Sequence, residues 1–76
     1  MGTRFRSDID DIMVCIGHFQ QFDQGEEINK ILSTDQNLQP GDLVNWYCGQ
    51  FSGLLEVVEC ENPSGSQQFV TIKKIN

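Results

Sequence analysis

The stretch QPGDLVNWYCGQFSGLLEVVEC, residues 39–60, decides how this chain is read. Pro40-Gly41 marks a turn, and residues 43–48 then alternate in the manner of a strand. The segment Gly-Gln-Phe-Ser-Gly (49–53) carries the glycines of a hairpin loop, and residues 54–61 form a second apolar run heading back. With Gly49 to Gly53 as the loop, Cys48 faces Leu54, Trp46 faces Glu56 and Val44 faces Val58. Val44, Trp46, Cys48, Leu54 and Val58 then share one face, and Leu43, Tyr47, Leu55 and Val57 share the other. Apolar residues on both faces of the return strand suit a central strand between two layers or in a coiled barrel. ENPSGSQ (61–67) is a further loop, and residues 69–75 are a third strand.

Upstream the pattern changes. Asp23 followed by Glu26 has the spacing of a capping box, and Ile28, Ile31 and Leu32 recur at i, i+3, i+4. Glu26 and Glu27 come early and Lys30 late, as a helix dipole prefers, so a helix is expected over residues 24–33. Ser7 can cap an earlier helix, with Asp8, Asp10 and Asp11 in its first turn and Ile9, Ile12, Met13, Ile16 and Phe19 at helical spacing. The stretch IMVCIGHF (12–19) also forms a β-branched run that suits a buried strand, and that alternative stands beside the helix. STDQNLQPGD (33–42) connects the halves, and residues 1–6 hold nothing that would order them. The expected architecture is one α+β domain over residues 7–76, with residues 1–6 as a disordered N-terminus. One or two N-terminal helices pack on a three-to-four-stranded antiparallel meander, curled like a small barrel.

Residues 41–59 carry a resemblance. Gly41, Asp42, Val44, Trp46 and Gly53 follow a pattern in which a Gly-Asp turn leads to a Val-x-Trp strand and a glycine turn returns to an aliphatic one. In this the chain resembles small β-barrel interaction modules of the Tudor and KOW type. It departs from the KOW glycine spacing and offers one clear strand after Glu61 where a full barrel wants more. The resemblance implies a shape and a binding role.

Eleven acidic residues stand against five basic ones, Arg4, Arg6, Lys30, Lys73 and Lys74, for a net charge of −6 in 76 residues. Such a field repels phosphate and opposes direct nucleic-acid binding. No run approaches the roughly 18 apolar residues of a membrane span, and the start turns acidic where a signal peptide turns apolar. A cytoplasmic location is expected. Cys15, Cys48 and Cys60 form no C-x-x-C pair, so reduced, mostly buried thiols are expected rather than disulfides or zinc.

Among candidate sites, Trp46, Tyr47 and Phe51 form an aromatic group at the hairpin. Neighbouring strand residues point to opposite faces, so Trp46 and Tyr47 cannot both line one cage for a methylated ammonium. One belongs to the core, and the other, with Phe51, is a partner-facing anchor. Cys15 and His18, i and i+3 on a helix, are the one conceivable nucleophile and base, with no orienting third group in view. The SDIDD cluster (7–11) lacks the alternating oxygen ligands and late glutamate of a calcium loop. No phosphate-binding glycine motif occurs. QGEEINKILS (24–33), taken as a reading helix, offers one Lys against two Glu and suits DNA poorly.

The expectation is therefore a non-enzymatic accessory module without metal or cofactor, binding another protein or itself through the hairpin around Trp46, Tyr47 and Phe51. The alternative is an acidic inhibitor that mimics DNA charge on a nucleic-acid-binding partner.

Overall fold

The computed structural model describes residues 4–33, 37–61 and 64–76. Strands β1 (Arg4–Phe5) and β2 (Ile12–Met13) precede one helix, α1 (Ile16–Asp23). Four strands follow: β3 (Ile28–Ser33), β4 (Asp42–Cys48), β5 (Phe51–Cys60) and β6 (Gln67–Lys74). They form one mixed sheet in the order β1-β4-β5-β6-β3. Both short strands run parallel to β4 along the edge that β5 leaves free.

This overturns the expected architecture. The chain is mostly β, with a single short helix, and the six-stranded sheet does not close into a barrel. The physical reason lies at Gly25. Its φ of 88° is a left-handed conformation that suits glycine. There Gly25 N–H donates to the Phe22 carbonyl and Glu26 N–H to the Gln21 carbonyl, which is a Schellman stop. Asp23 thus ends α1 rather than capping a new helix. Residues after Gly25 leave as β3, where Ile28, Lys30 and Leu32 turn inward and Asn29, Ile31 and Ser33 turn outward. The expected first helix is also corrected. Residues 12–13 are strand, and the helix begins only at Ile16.

The hairpin forms in a different register. Gly49 adopts φ 60°, so Gly49-Gln50 alone makes the turn, and Cys48 faces Phe51 instead of Leu54. The shift is three residues, and an odd shift exchanges the faces of β5. Leu55 and Val57 therefore join Val44, Trp46 and Cys48 inside, and Leu54 turns out. At Gly53 the missing side chain admits the Asn76 carbonyl, whose position an added Cβ would overlap. A bulge between Val57 and Glu59 interrupts the β5–β6 ladder.

The core fills the inner face. Val44, Trp46, Leu55, Val57, Val70 and Ile72 supply it from the sheet, and Phe22 from α1 lies edge-on to Trp46 with ring centroids 5.2 Å apart. Leu38, also fully buried, is held by polar clamps. Gln68 accepts from Leu38 N–H through Oε1 and donates through Nε2 to the Leu38 and Glu61 carbonyls. The Cys60 thiol donates to the same Leu38 carbonyl at 3.0 Å, and burial first, then the charge of Asp42, pushes its pKa up. The rest of that connection, residues 34–36, lies outside the described residues.

The N-terminal segment, expected to be frayed, is anchored over its described part. Arg6 N–H donates to the Leu43 carbonyl at 2.8 Å, and its side chain is only 8% exposed. Its guanidinium donates twice to Asp8, at 2.9 Å each, to Asp42 at 2.9 Å, and to the Asn37 carbonyl at 2.8 Å. The hydrogen bonds from Arg6 lower the Asp8 pKa from 3.8 to about 2.

Two outcomes follow from this clamp. Arg6→Met should cost about 3–5 kcal/mol in urea unfolding, because Asp42 stays buried with only the exposed, more distant Arg4 at 3.5 Å as a cation. Asp8 has a depressed folded pKa, so its contribution is complete above pH about 4 and lost as pH falls through about 2. Asp8→Asn should flatten that acid limb of stability, measured by thermal unfolding between those pH values.

Candidate functional site

A strand shows alternate side chains to opposite faces, so the register fixes what the outer face of the sheet displays. Phe5 stands beside Leu43, followed across β5 and β6 by Glu56 and Lys73. Met13 stands beside Tyr47 and Ser52. Asn45 faces Leu54, which accepts the N–H of Ile75 at 2.8 Å. Beyond the bulge, Glu59, Thr71 and Asn29 lie in line, and Ile31 faces Phe69. The Thr71 hydroxyl donates to the Asn29 side-chain oxygen at 2.7 Å.

This face mixes polar side chains with large exposed apolar ones. Phe5, Met13, Ile31, Tyr47, Phe69 and Ile75 are between 39% and 54% exposed. α1 lies against the opposite face, where Phe19 and Phe22 reach Trp46. A hollow of about 290 Å³ opens at the bulge, with Phe69, Thr71, Asn29, Glu59 and Glu61 among its walls.

The three aromatics named from the sequence do not make one surface. Trp46 is buried in the core, and its indole N–H donates to the Asn76 carbonyl at 3.1 Å. Tyr47 points outward, half exposed. Phe51 sits on the inner side of the hairpin tip, stacked on Phe19 with centroids 5.1 Å apart and its far side open. The sequence reading missed Phe5, Met13, Ile31, Phe69 and Ile75. Their signal is position alone: Met13 alternates with Ile12 and Val14, and Phe69 adjoins Val70, once the strands are recognised.

Cys15 and His18 are brought together at the start of α1, where His18 N–H donates to the Cys15 carbonyl. Both line a cleft of about 370 Å³ with Asn29, Lys30, Ile31 and Phe69. Among the described residues no group of three or more His, Cys, Asp or Glu could hold a metal ion. No helix among them is long and apolar enough to cross a membrane. Three of the cations are paired: Arg4 and Arg6 with Asp42, Arg6 also with Asp8, and Lys74 with Asp23.

No family model, no curated protein and no solved structure matches the chain. The geometry of the outer face therefore carries the functional reading.

The split between neighbours on β4 is measurable. Trp46→Ala should cost about 3–5 kcal/mol through the cavity it leaves. Tyr47→Ala should stay within about 0.5 kcal/mol. Denaturant unfolding of the two variants, side by side, checks which aromatic is structural.

Proposed function

We propose that this chain is a non-enzymatic, cytoplasmic interaction module that docks a protein through the outer face of its sheet, with Tyr47 as the hairpin's contribution. The observation behind this reading is the set of six large apolar side chains exposed on the outer side of the sheet, with Met13 beside Tyr47 and Ile31 beside Phe69. Contiguous exposed apolar surface is costly in water and marks contact sites far more often than scattered single residues do. Aromatic and Met side chains are also the types enriched in such contacts. Phe51, stacked on Phe19 at the tip, offers a smaller second contact on the other side.

The alternative, an acidic inhibitor imitating nucleic-acid charge, has less behind it. Asp8 and Asp23 are engaged by Arg6 and Lys74, which dilutes the acidic surface such mimicry would present.

The two readings separate by salt. A tagged chain should retain its partner in 1 M salt, since apolar burial is not screened. Tyr47→Ala with Phe69→Ala should weaken retention about tenfold or more, the effect of losing interface anchors. Retention that vanishes at high salt, ignores Tyr47 and Phe69, and falls on charge reversal at Asp10 and Asp11 would establish the inhibitor instead.

A further inference from the structure

We infer that the hollow at the β5 bulge receives the guanidinium of an arginine side chain presented by the docked protein. The inference deepens the docking role and rests on it for the source of the arginine. The hollow itself is argued from its own residues.

The bulge makes the site. Along β5 the core residues Leu55 and Val57 alternate inward, and unbroken alternation would send Glu59 and Glu61 inward after them. The register shift between Val57 and Glu59 adds one residue, so the alternation reverses beyond it. Cys60 then packs against the core opposite buried Val70, and Glu59 stands opposite Thr71 on the outer side. Glu61 N–H donates to the Phe69 carbonyl at 3.0 Å, which sets these two residues side by side in the next row. Two exposed carboxylates are thereby carried onto the face that displays Phe69.

The walls select the ligand. The hollow holds about 290 Å³, near the lower end of ligand pockets, and so suits one side chain better than a larger molecule. Glu59 and Glu61 supply negative charge to it, and Phe69, 52% exposed, supplies an open aromatic ring. The Thr71 hydroxyl already donates to the Asn29 side-chain oxygen at 2.7 Å, so towards a ligand its oxygen accepts. Glu59, Glu61 and Thr71 thus all offer acceptors, against one amide group, on Asn29, that can donate. A guanidinium brings five N–H donors in a planar fork and stacks flat on an aromatic ring. An ammonium is a compact, more strongly hydrated point charge and does neither as well.

The chain leaves this charge free. Arg4 and Arg6 pair with Asp42, Arg6 also with Asp8, and Lys74 with Asp23. Among the described residues no cation lies within ion-pair distance of Glu59 or Glu61. The net charge of −6 adds a long-range attraction for a basic partner.

The full chain, isotopically labelled and titrated with acetyl-Gly-Arg-Gly-amide at fixed ionic strength, tests this through its amide chemical shifts. Saturable shifts are expected at Glu59, Glu61, Phe69 and Thr71 with a Kd of about 1 mM, that of a single exposed side-chain contact. The lysine counterpart should bind about threefold or more weakly, lacking the fork and the stack. The citrulline counterpart, alike in shape but uncharged, should bind about tenfold or more weakly. Glu59→Gln with Glu61→Gln keeps size, removes both charges and should weaken the arginine peptide about tenfold. Phe69→Leu keeps an apolar wall without the ring and should weaken it about two- to fivefold, the range of an exposed cation–π contact.

Shifts scattered over the surface, or equal for the arginine and lysine peptides, would overturn the inference. They would reduce the effect to the diffuse pull of the net charge. An arginine peptide indifferent to the loss of both carboxylates, or one without saturable shifts, would overturn it as well. A silent hollow beside a partner still lost on Tyr47→Ala with Phe69→Ala would leave docking standing without the arginine. Saturable peptide binding beside a partner indifferent to those two changes would keep the guanidinium site and overturn the docking face.

Discussion

The buried guanidinium of Arg6 is the constraint on which the rest of the structure depends. It joins the segment after β1 to the connection before β4 and to β4 itself. Asp42 receives Arg6 at 2.9 Å and the N–H of Gln39 at 3.0 Å through the same oxygen, and Arg4 approaches it at 3.5 Å. A buried ion pair of this kind adds little net stability over a well-packed apolar substitute, because both charges lose their water. Its effect is on uniqueness. Any arrangement that separates Arg6 from Asp42 strands a charge inside, so alternative placements of the N-terminal segment are penalised. The segment is thereby laid parallel to β4, the less common way for neighbouring strands to run.

From that anchor the path of the chain is nearly forced. With β1 and β2 on one edge of β4, the chain must cross the inner face to reach the opposite edge beside β6. α1 makes the crossing, and Phe22 and Phe19 cover Trp46 on the way. Gly25 then stops the helix so that β3 can begin within a few residues. Among the described residues the aromatic cover from α1 packs on the inner face, while Tyr47 and Phe69 stay exposed on the other. The exposure of Tyr47 and Phe69 thus follows from the same crossing that builds the core.

Parts of this were legible in the sequence, and the misreadings have identifiable causes. The three strands of the C-terminal half are announced by alternation and by their glycine turns, and their observed bounds lie within a few residues of the expected ones. Between Asp23 and Ser33 two local signals compete. The Asp23-to-Glu26 spacing suits a helix start, while Gly25 suits a helix stop, and the stop prevails because β6 offers Ile28 and Ile31 a ladder. In the hairpin, Gly53 marks Phe-Ser as part of a longer loop. The nearer glycine, Gly49, suffices for a two-residue turn. That single choice decides the register and hence which of Leu54 and Leu55 is core. Arg6 with Asp42, 36 residues apart, has no local signature at all. For the site, Tyr47 was visible as one of two alternatives with Trp46, whereas Ile31 and Phe69 become a pair only after residues 28–33 are known to be strand.

The edges of the sheet show how this chain treats exposed surface. A free strand edge is an open template for pairing, and proteins commonly blunt it by shortening, interruption or charge. On one side β1 and β2 are two residues each, broken by the acidic residues 8, 10 and 11 between them. On the other side β3 places Lys30 in its middle and Asn29 beside it. Both edges thus carry the features that discourage pairing in the plane of the sheet. The outer face sets Glu56, Glu59, Lys73 and Thr71 among exposed Phe5, Met13, Ile31, Tyr47 and Phe69. Guarded edges beside such exposed aromatic and aliphatic side chains favour contact through side chains, across the face, over extension of the backbone ladder.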